Sequence, residues 1–371
     1  MLTKKKKIIF SLLAIGIGLA FPLLCIEIIL HFLPVSEGIG ATDVNAETPV
    51  FHFEPGAVKQ YSKDWNFSLN NRVRTNNYGF VNDQDYSAQL QTPLLAVIGD
   101  SYVEASMVPY SKTIHGRLQQ MAGDGRVYSF AASGAPLSQY LIWAQYARDE
   151  FKPDAYLFMI VANDFDESLA EYKQSPGFHY YFKENEKYQL KRVDLVRTKS
   201  LKKRVLVTFF RNCRLARYFS YNLQAVPRLK MVFTKRQEYV GNVSAQVTEK
   251  RLFDSKTAVD LFFDDLPKYT GVDSSKILFV IDGVRPAIYD DEALKASQDS
   301  FWAKMREFFI DRAQEFGSPV IDMQPIFIQD FKVKQKRFEF VNDGHWNELA
   351  HQMAADAASK EELFQSLFLG Q

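Results

Sequence analysis

Cysteine is scarce in this 371-residue chain. Cys25 and Cys213 are the only two, too few for a disulfide scaffold. One lies inside an apolar run and the other far away, so no pairing is expected. Histidine is scarce as well, with six residues, and no two stand in a His-x-x-x-His arrangement. The acidic pairs Asp264-Asp265 and Asp290-Asp291 read as surface or helix-cap residues, so no metal site is expected. No glycine-rich phosphate loop occurs, and no nucleotide or other cofactor is called for. Charge of one sign is also missing. The formal net charge is +1, and Lys4–Lys7 alone supply four positive charges, leaving the remainder slightly acidic. That balance gives no basis for nucleic-acid binding. No fixed-period repeat or low-complexity tract stands out.

What the chain does have begins at its amino end. After Lys4–Lys7, residues Ile8–Ile26 run without a charge, long enough to cross hydrocarbon as a helix. The lysines favour a cytoplasmic amino terminus. The expectation is a single-pass anchor in the cytoplasmic membrane, with the rest of the chain facing the periplasm or exterior. A cleaved signal peptide is the main competitor, but no small-x-small cleavage site follows and the run is long for such a segment. A helix buried in a soluble domain is the third reading. Glu27 is costly at mid-bilayer and tolerable at an interface or against a partner helix.

The exterior part divides by rhythm. Residues 1–33 form the lysine run and anchor, and 34–90 a linker and lead-in rich in turn residues. Strand and helix then alternate. Leu94–Ile98, Arg126–Ala131 and Ala155–Val161 are expected strands, with helices at 113–122 and 138–151. The pattern resumes with a strand at Ile277–Ile281, a long helix over 293–316, a short strand at 319–322 and a closing helix from about Trp346. Residues 91–164 and 276–365 thus predict an α/β fold, a three-layer α/β/α sandwich around a parallel sheet. Residues 165–275 break the rhythm and predict a mainly helical insertion or cap. Its one strand-like run is Val205–Phe210. Lys199–Arg204 and Cys213–Leu223 make it basic and aromatic, a face for an anionic substrate, headgroups or a partner, or an ordinary charged surface around an aromatic filling.

Chemistry concentrates where strands end. Leu94–Ile98 leads into Gly99-Asp100-Ser101, placing the Ser101 hydroxyl at the carboxyl edge of the sheet, where α/β folds carry their sites. Alone the tripeptide is weak, because serine is an ordinary helix cap. A late Asp343-Gly344-His345 supplies the missing parts: His345 as general base toward Ser101, and Asp343 to hold the imidazole tautomer. The plain alternatives are a helix-start histidine and an N-cap aspartate. Three groups are candidates for stabilising a developing oxyanion: the Ser101 backbone N–H, Gly134 after the second strand, and the Asn163 amide after the third. Taken singly, Gly134 is a turn glycine and Asn163 a helix cap.

These blocks resemble the SGNH/GDSL hydrolase superfamily over roughly residues 70–360, with the middle insertion outside. Gly99-Asp100-Ser101 matches the nucleophile block, Gly134 the second-block glycine, Val161-Ala162-Asn163-Asp164 the Gly-x-Asn-Asp block, and Asp343 with His345 the acid and base. Two departures stand out. Val161 replaces a glycine, which puts the Asn163 loop in question. The last block is Asp-x-His rather than Asp-x-x-His. The shorter form, followed by Trp346-Asn347, is similar to that of periplasmic O-acyltransferases of the alginate acetylation type. The resemblance implies serine-dependent O-acyl transfer or deacylation on a cell-envelope glycan through an acyl-enzyme, beside a multi-spanning acyl-donor protein. A small-molecule or lipid esterase is the alternative. A non-catalytic envelope scaffold or carbohydrate-binding protein is a further one, and would require His345 to lie out of reach of Ser101.

Overall fold

The structure, a computed structural model, describes residues 3–370 apart from 197–199, 226–228, 230–238 and 241–242. The chain forms two compact units. One comprises residues 1–38, 59–72 and 198–235, and the other residues 39–58, 73–197 and 236–371.

The larger unit is an α/β architecture around five parallel strands: β1 (Leu94–Gly99), β2 (Arg126–Ala131), β3 (Ala155–Ile160), β4 (Ile277–Ile281) and β5 (Val320–Asp322). Their order is β5-β4-β3-β1-β2. All residues of β1 to β4 are buried, which is why these segments read as apolar runs rather than alternating ones. Successive side chains still point to opposite faces. Ala96, Ile98, Phe158 and Phe279 enter one core with the helices Leu137–Phe151, Glu249–Thr270 and Phe301–Phe316. Leu95, Val97, Leu157 and Val280 enter a second core with the helices Ile114–Met121, Met323–Lys334 and Glu348–Ala358. The sheet is therefore covered by helices on both faces. The lead-in also contributes, since Val44, Phe51, Phe53 and Phe80 are buried in the first core.

The smaller unit carries the apolar helix Lys4–Leu30. Its stretch Ile8–Leu30 is the one helix among the described residues long and apolar enough to cross a membrane, and it is exposed apart from half-buried Cys25 and Glu27 and buried Leu30. Such a segment is consistent with a membrane span or a signal segment. Both cysteines are unpaired.

Three expectations are corrected. Val205–Phe210 is not a strand but the middle of the helix Leu201–Asn212. Its β-branched and aromatic residues favour strand on propensity alone, yet Leu201, Val205 and Phe209 recur at helical spacing. Lys199 lies outside the described residues. The stretch 165–275 is not helical throughout, for His179–Glu184 and Lys187–Arg192 form an antiparallel hairpin. Nor does it behave as one insertion. Residues 198–235 belong to the smaller unit, whereas Glu249–Thr270 sends Ala258, Val259, Phe262, Phe263 and Leu266 into the sheet's own core. Finally, the long helix over 293–316 is two, Asp291–Ser297 and Phe301–Phe316. Ser300 interrupts them by accepting from the Ala303 N–H, a side-chain cap.

Two imidazoles sit in the second helical layer. His115 and His351 are buried, and burial pushes both down to about 3. The Ile114 N–H donates to His351 Nδ1 at 3.2 Å, which requires an unprotonated nitrogen. Between pH of about 6.5 and 3 the unfolded chain binds protons that the native state refuses, so stability falls as pH falls through that window. Burial raises the Asp100 and Asp164 carboxyls instead. They bind protons in the native state first, and their contribution has the opposite sign. Comparing wild type with His351→Gln cancels the carboxyl share. Unfolding free energies at pH 7 and 4.5 should show the wild type losing about 2.5 kcal/mol more than the variant. Identical losses in both proteins would rule out a buried neutral His351.

Candidate active site

Ser101 opens a short helix immediately after β1, with Asp100 as its N-cap accepting from the Tyr102 N–H. Gly99 is tight against its surroundings. A Cβ there would stand 2.5 Å from Val103 Cγ2 and 3.2 Å from Met159 Cβ, so the chain can turn sharply only with glycine at that point. The Ser101 hydroxyl lies 2.8 Å from His345 Nε2 and 3.2 Å from Asp100 Oδ2. It owns one proton, and the shorter contact favours His345 as the acceptor.

Asp343 and His345 lie on the strand Asp343–Trp346. Residues two apart on a strand share a face, so the Asp343 carboxylate reaches the imidazole. Asp343 Oδ1 pairs with His345 Nδ1 and also accepts from the His345 backbone N–H at 3.0 Å. With Nδ1 donating to the carboxylate, Nε2 presents its lone pair to Ser101. The Asp343 side chain is 2% exposed and that of His345 30% exposed, leaving the imidazole open to an incoming group. Asp100 sits at full burial, which raises its carboxyl, opposed by the Tyr102 N–H and by the nearby His345.

Gly134 and Asn163 follow β2 and β3. These strands flank β1 in the sheet and run parallel to it, so Ser101, Gly134 and Asn163 all lie past the same rim. Gly134 has φ of +76°, a conformation natural to glycine. Charges hold the backbone on both sides of it. The Ser133 N–H donates to Glu104 Oε2 at 2.6 Å, and the Gly134 carbonyl accepts from Lys173 Nζ at 2.9 Å. Lys173 also pairs with Glu167, whose Oε2 accepts from the Asn163 amide at 3.4 Å. One lysine–glutamate pair thus joins the Gly134 and Asn163 loops. Val161 is buried with ordinary backbone geometry, and its N–H donates to Asp164 Oδ2 at 2.8 Å. Asp164 accepts from Tyr140 as well. The loop is held by this aspartate without a glycine at its start.

Sequence reasoning missed Glu104, Glu167, Lys173 and Arg285. Arg285 follows β4 and is buried. It donates to Asp282, to Glu339, to the Gly344 carbonyl at 3.1 Å and to the Tyr102 hydroxyl at 3.1 Å. No motif marked these residues, because a charged residue on a loop reads as surface until its partners are placed. The one available signal was a fully apolar strand, β4, ending in Asp282-Gly283 beside an arginine.

No family model matches the chain, and no curated protein matches it. Solved structures do. A member of the lipolytic protein G-D-S-L family from Veillonella parvula DSM 2008 is 12% identical, with 73% of this chain and 98% of that one covered at a TM-score of 0.37. A lipase from a goat rumen metagenome is 10% identical, covering 73% and 100% at 0.39. A two-domain esterase active on acetylated mannans is 9% identical, covering 75% of this chain and 50% of that one at 0.36. At these values the chemistry of this chain rests on its own side-chain geometry.

Proposed function

We propose that this protein performs serine-dependent ester chemistry, with Ser101 as nucleophile, His345 as general base and Asp343 as the group that orients it. The approach of His345 Nε2 to Ser101 Oγ at 2.8 Å carries the reading. It also speaks against the non-catalytic scaffold, which needs those atoms apart. The Ser101 oxygen attacks the ester carbonyl carbon while its proton passes to Nε2. The Ser101 and Gly134 N–H groups and the Asn163 amide are the proposed donors to the resulting oxyanion. Collapse breaks the bond to the leaving alkoxide, which takes the proton from His345. An acyl group stays on Ser101. A second hydroxyl, activated by His345 in the same way, releases it.

Water as that second hydroxyl makes the protein an esterase on a small or lipid ester, the simplest form of the proposal. The narrower form is deacylation of, or O-acyl transfer to, a cell-envelope glycan. It rests on the Asp343-x-His345-Trp346 resemblance and on the exposed apolar helix, which suits a cytoplasmic-membrane anchor with the larger unit facing the periplasm. A multi-spanning acyl-donor protein is the partner that form requires.

Purified full-length protein should turn over a generic acetyl ester. Ser101→Ala and His345→Ala should each lose at least about 10³-fold in kcat, and the double variant little more, because nucleophile and base act as a unit. Unchanged turnover in Ser101→Ala would remove it as nucleophile. The anchor is tested separately. A phosphatase reporter that works only outside the cytoplasm, fused after Gln371, should be active, and an inactive fusion beside an active cytoplasmic reporter at the same position would reverse the proposed orientation.

A further inference from the structure

Between Asp194 and Glu238 the chain carries twelve Lys or Arg residues and no acidic one. Much of this stretch belongs to the smaller unit, the one that holds the apolar helix. Its helix Leu201–Asn212 shows a row of large apolar side chains to the outside. Leu201 is 74% exposed, Val205 62%, Leu206 68% and Phe209 61%. Leu201, Val205 and Phe209 stand at i, i+4 and i+8, one continuous face. Arg211 falls on the other side of the helical wheel, and Lys202 borders the apolar face beside Phe209. In water an apolar row of this kind is a liability, and it marks a surface that something covers.

The attachment of this helix says what covers it. Its end turns at Cys213 into the short helix Arg214–Arg217, and that turn is tied to the apolar helix. Glu27 accepts from the Arg214 N–H at 2.8 Å, from the Leu215 N–H at 2.6 Å and from the Cys213 thiol at 3.6 Å. The Arg214 guanidinium donates to the Leu33 carbonyl at 3.2 Å. A hydrocarbon core takes about 20 helical residues. If it begins at Ile8, after the lysines, it ends near Glu27. The Glu27 carboxylate therefore sits at bilayer exit, and the turn it holds lies at headgroup depth.

Aromatic side chains collect at the same level of this unit. Phe32 is 84% exposed and Trp65 73%, with Phe219 and Tyr221 half-exposed. The Tyr218 hydroxyl donates to the Trp65 carbonyl at 2.8 Å. Exposed tryptophan and tyrosine near the end of a membrane span are the usual furniture of the interface.

We infer that the helix Leu201–Asn212 lies in the membrane surface, its Leu201–Val205–Phe209 face among the acyl chains and its basic residues among anionic phospholipid headgroups. The inference rests on the reading of the Lys4–Leu30 helix as a membrane span. A basic amphipathic helix buries its apolar face about 5–10 Å into the headgroup–acyl boundary and gains from negative lipid. The lipid surface is preferred over a partner protein because the covering phase is already specified by the neighbouring span, and because the charge is of one sign along the whole stretch.

The test uses full-length protein in vesicles of phosphatidylcholine and phosphatidylglycerol. In a Cys25→Ser, Cys213→Ser background, single cysteines replace Val205, Phe209, Leu19 or the exposed Glu307, and each carries an environment-sensitive fluorophore. Serine at 213 keeps a side-chain cap for the turn. Labels at 205 and 209 should emit at shorter wavelength than at 307, and should be quenched more by lipid spin-labelled near the headgroup than by lipid labelled deep in the chain. The label at 19 should show the reverse depth preference. Water-like emission at 205 and 209 with a deep label at 19 overturns the inference and leaves the anchor standing. A water-like label at 19 removes the anchor reading and the inference with it. Blue-shifted labels at 205 and 209 that no spin-labelled lipid quenches would mean cover by a second copy of the chain, and would also overturn it.

Discussion

A buried guanidinium holds the two halves of the candidate site in register. Arg285 leaves β4 and reaches the Tyr102 hydroxyl, on the helix that Ser101 begins, and the Gly344 carbonyl, between Asp343 and His345. Burial opposes its charge, but the partners around it, Asp282 foremost and Glu339 among them, outweigh that cost. Asp282 in turn accepts from the Trp346 indole at 2.9 Å. This one arginine therefore ties together the end of β4, the segment after β1 and the strand that bears the imidazole. Replacing such an arginine leaves buried carboxylates uncompensated, a loss of about 3–5 kcal/mol. The value of the pair lies less in net stability than in position, because a contact between residues 101 and 345 has no local chain geometry to enforce it.

The same device recurs on the other side of Ser101. Glu104 fixes the Ala132–Ser133 peptide, and Lys173 fixes the peptide that follows Gly134. Glu167 carries that restraint across to Asn163. A loop left to solvent would sample many orientations of its N–H groups. Charged anchors on both sides restrict it before any ligand arrives, and preorganised donors are what an oxyanion site requires. Glu104 is buried and also accepts from Ser106, so its carboxylate is satisfied twice and has little freedom to release Ser133.

How much of this was legible follows from where each cause resides. β1, β3 and β4 were legible because complete burial makes them short apolar runs, and the Gly99-Asp100-Ser101 and Asp343-Gly344-His345 segments because each packs its polar groups into three consecutive residues. Arg285, Lys173 and Glu167 were not, since a charged residue on an unplaced loop reads as surface until its partners are known. The Glu249–Thr270 helix was misassigned for a different reason. It is an ordinary layer of the sandwich, but the chain makes a long excursion before it, so sequence rhythm placed it with the excursion. Val205–Phe210 failed on propensity, as β-branched residues were weighed over the spacing of the apolar ones.

Both departures from the resembling family's pattern have a structural answer. Glycine at the head of the Asn163 loop is dispensable where the backbone is ordinary and Asp164 receives the Val161 N–H. The short Asp343-x-His345 spacing is a consequence of strand geometry. On a helix, residues two apart diverge, and a longer spacing would be needed to bring carboxylate and ring together. On the strand Asp343–Trp346 they share a face, and one oxygen of Asp343 meets both the backbone N–H and the Nδ1 of His345. That double contact sets the ring's tautomer and its rotation at once. The strand is itself paired to Glu339–Phe340, and Glu339 is held by Arg285 and by the Tyr289 hydroxyl. Orientation of the imidazole therefore passes from the sheet, through a buried cation, to a two-residue step on a strand.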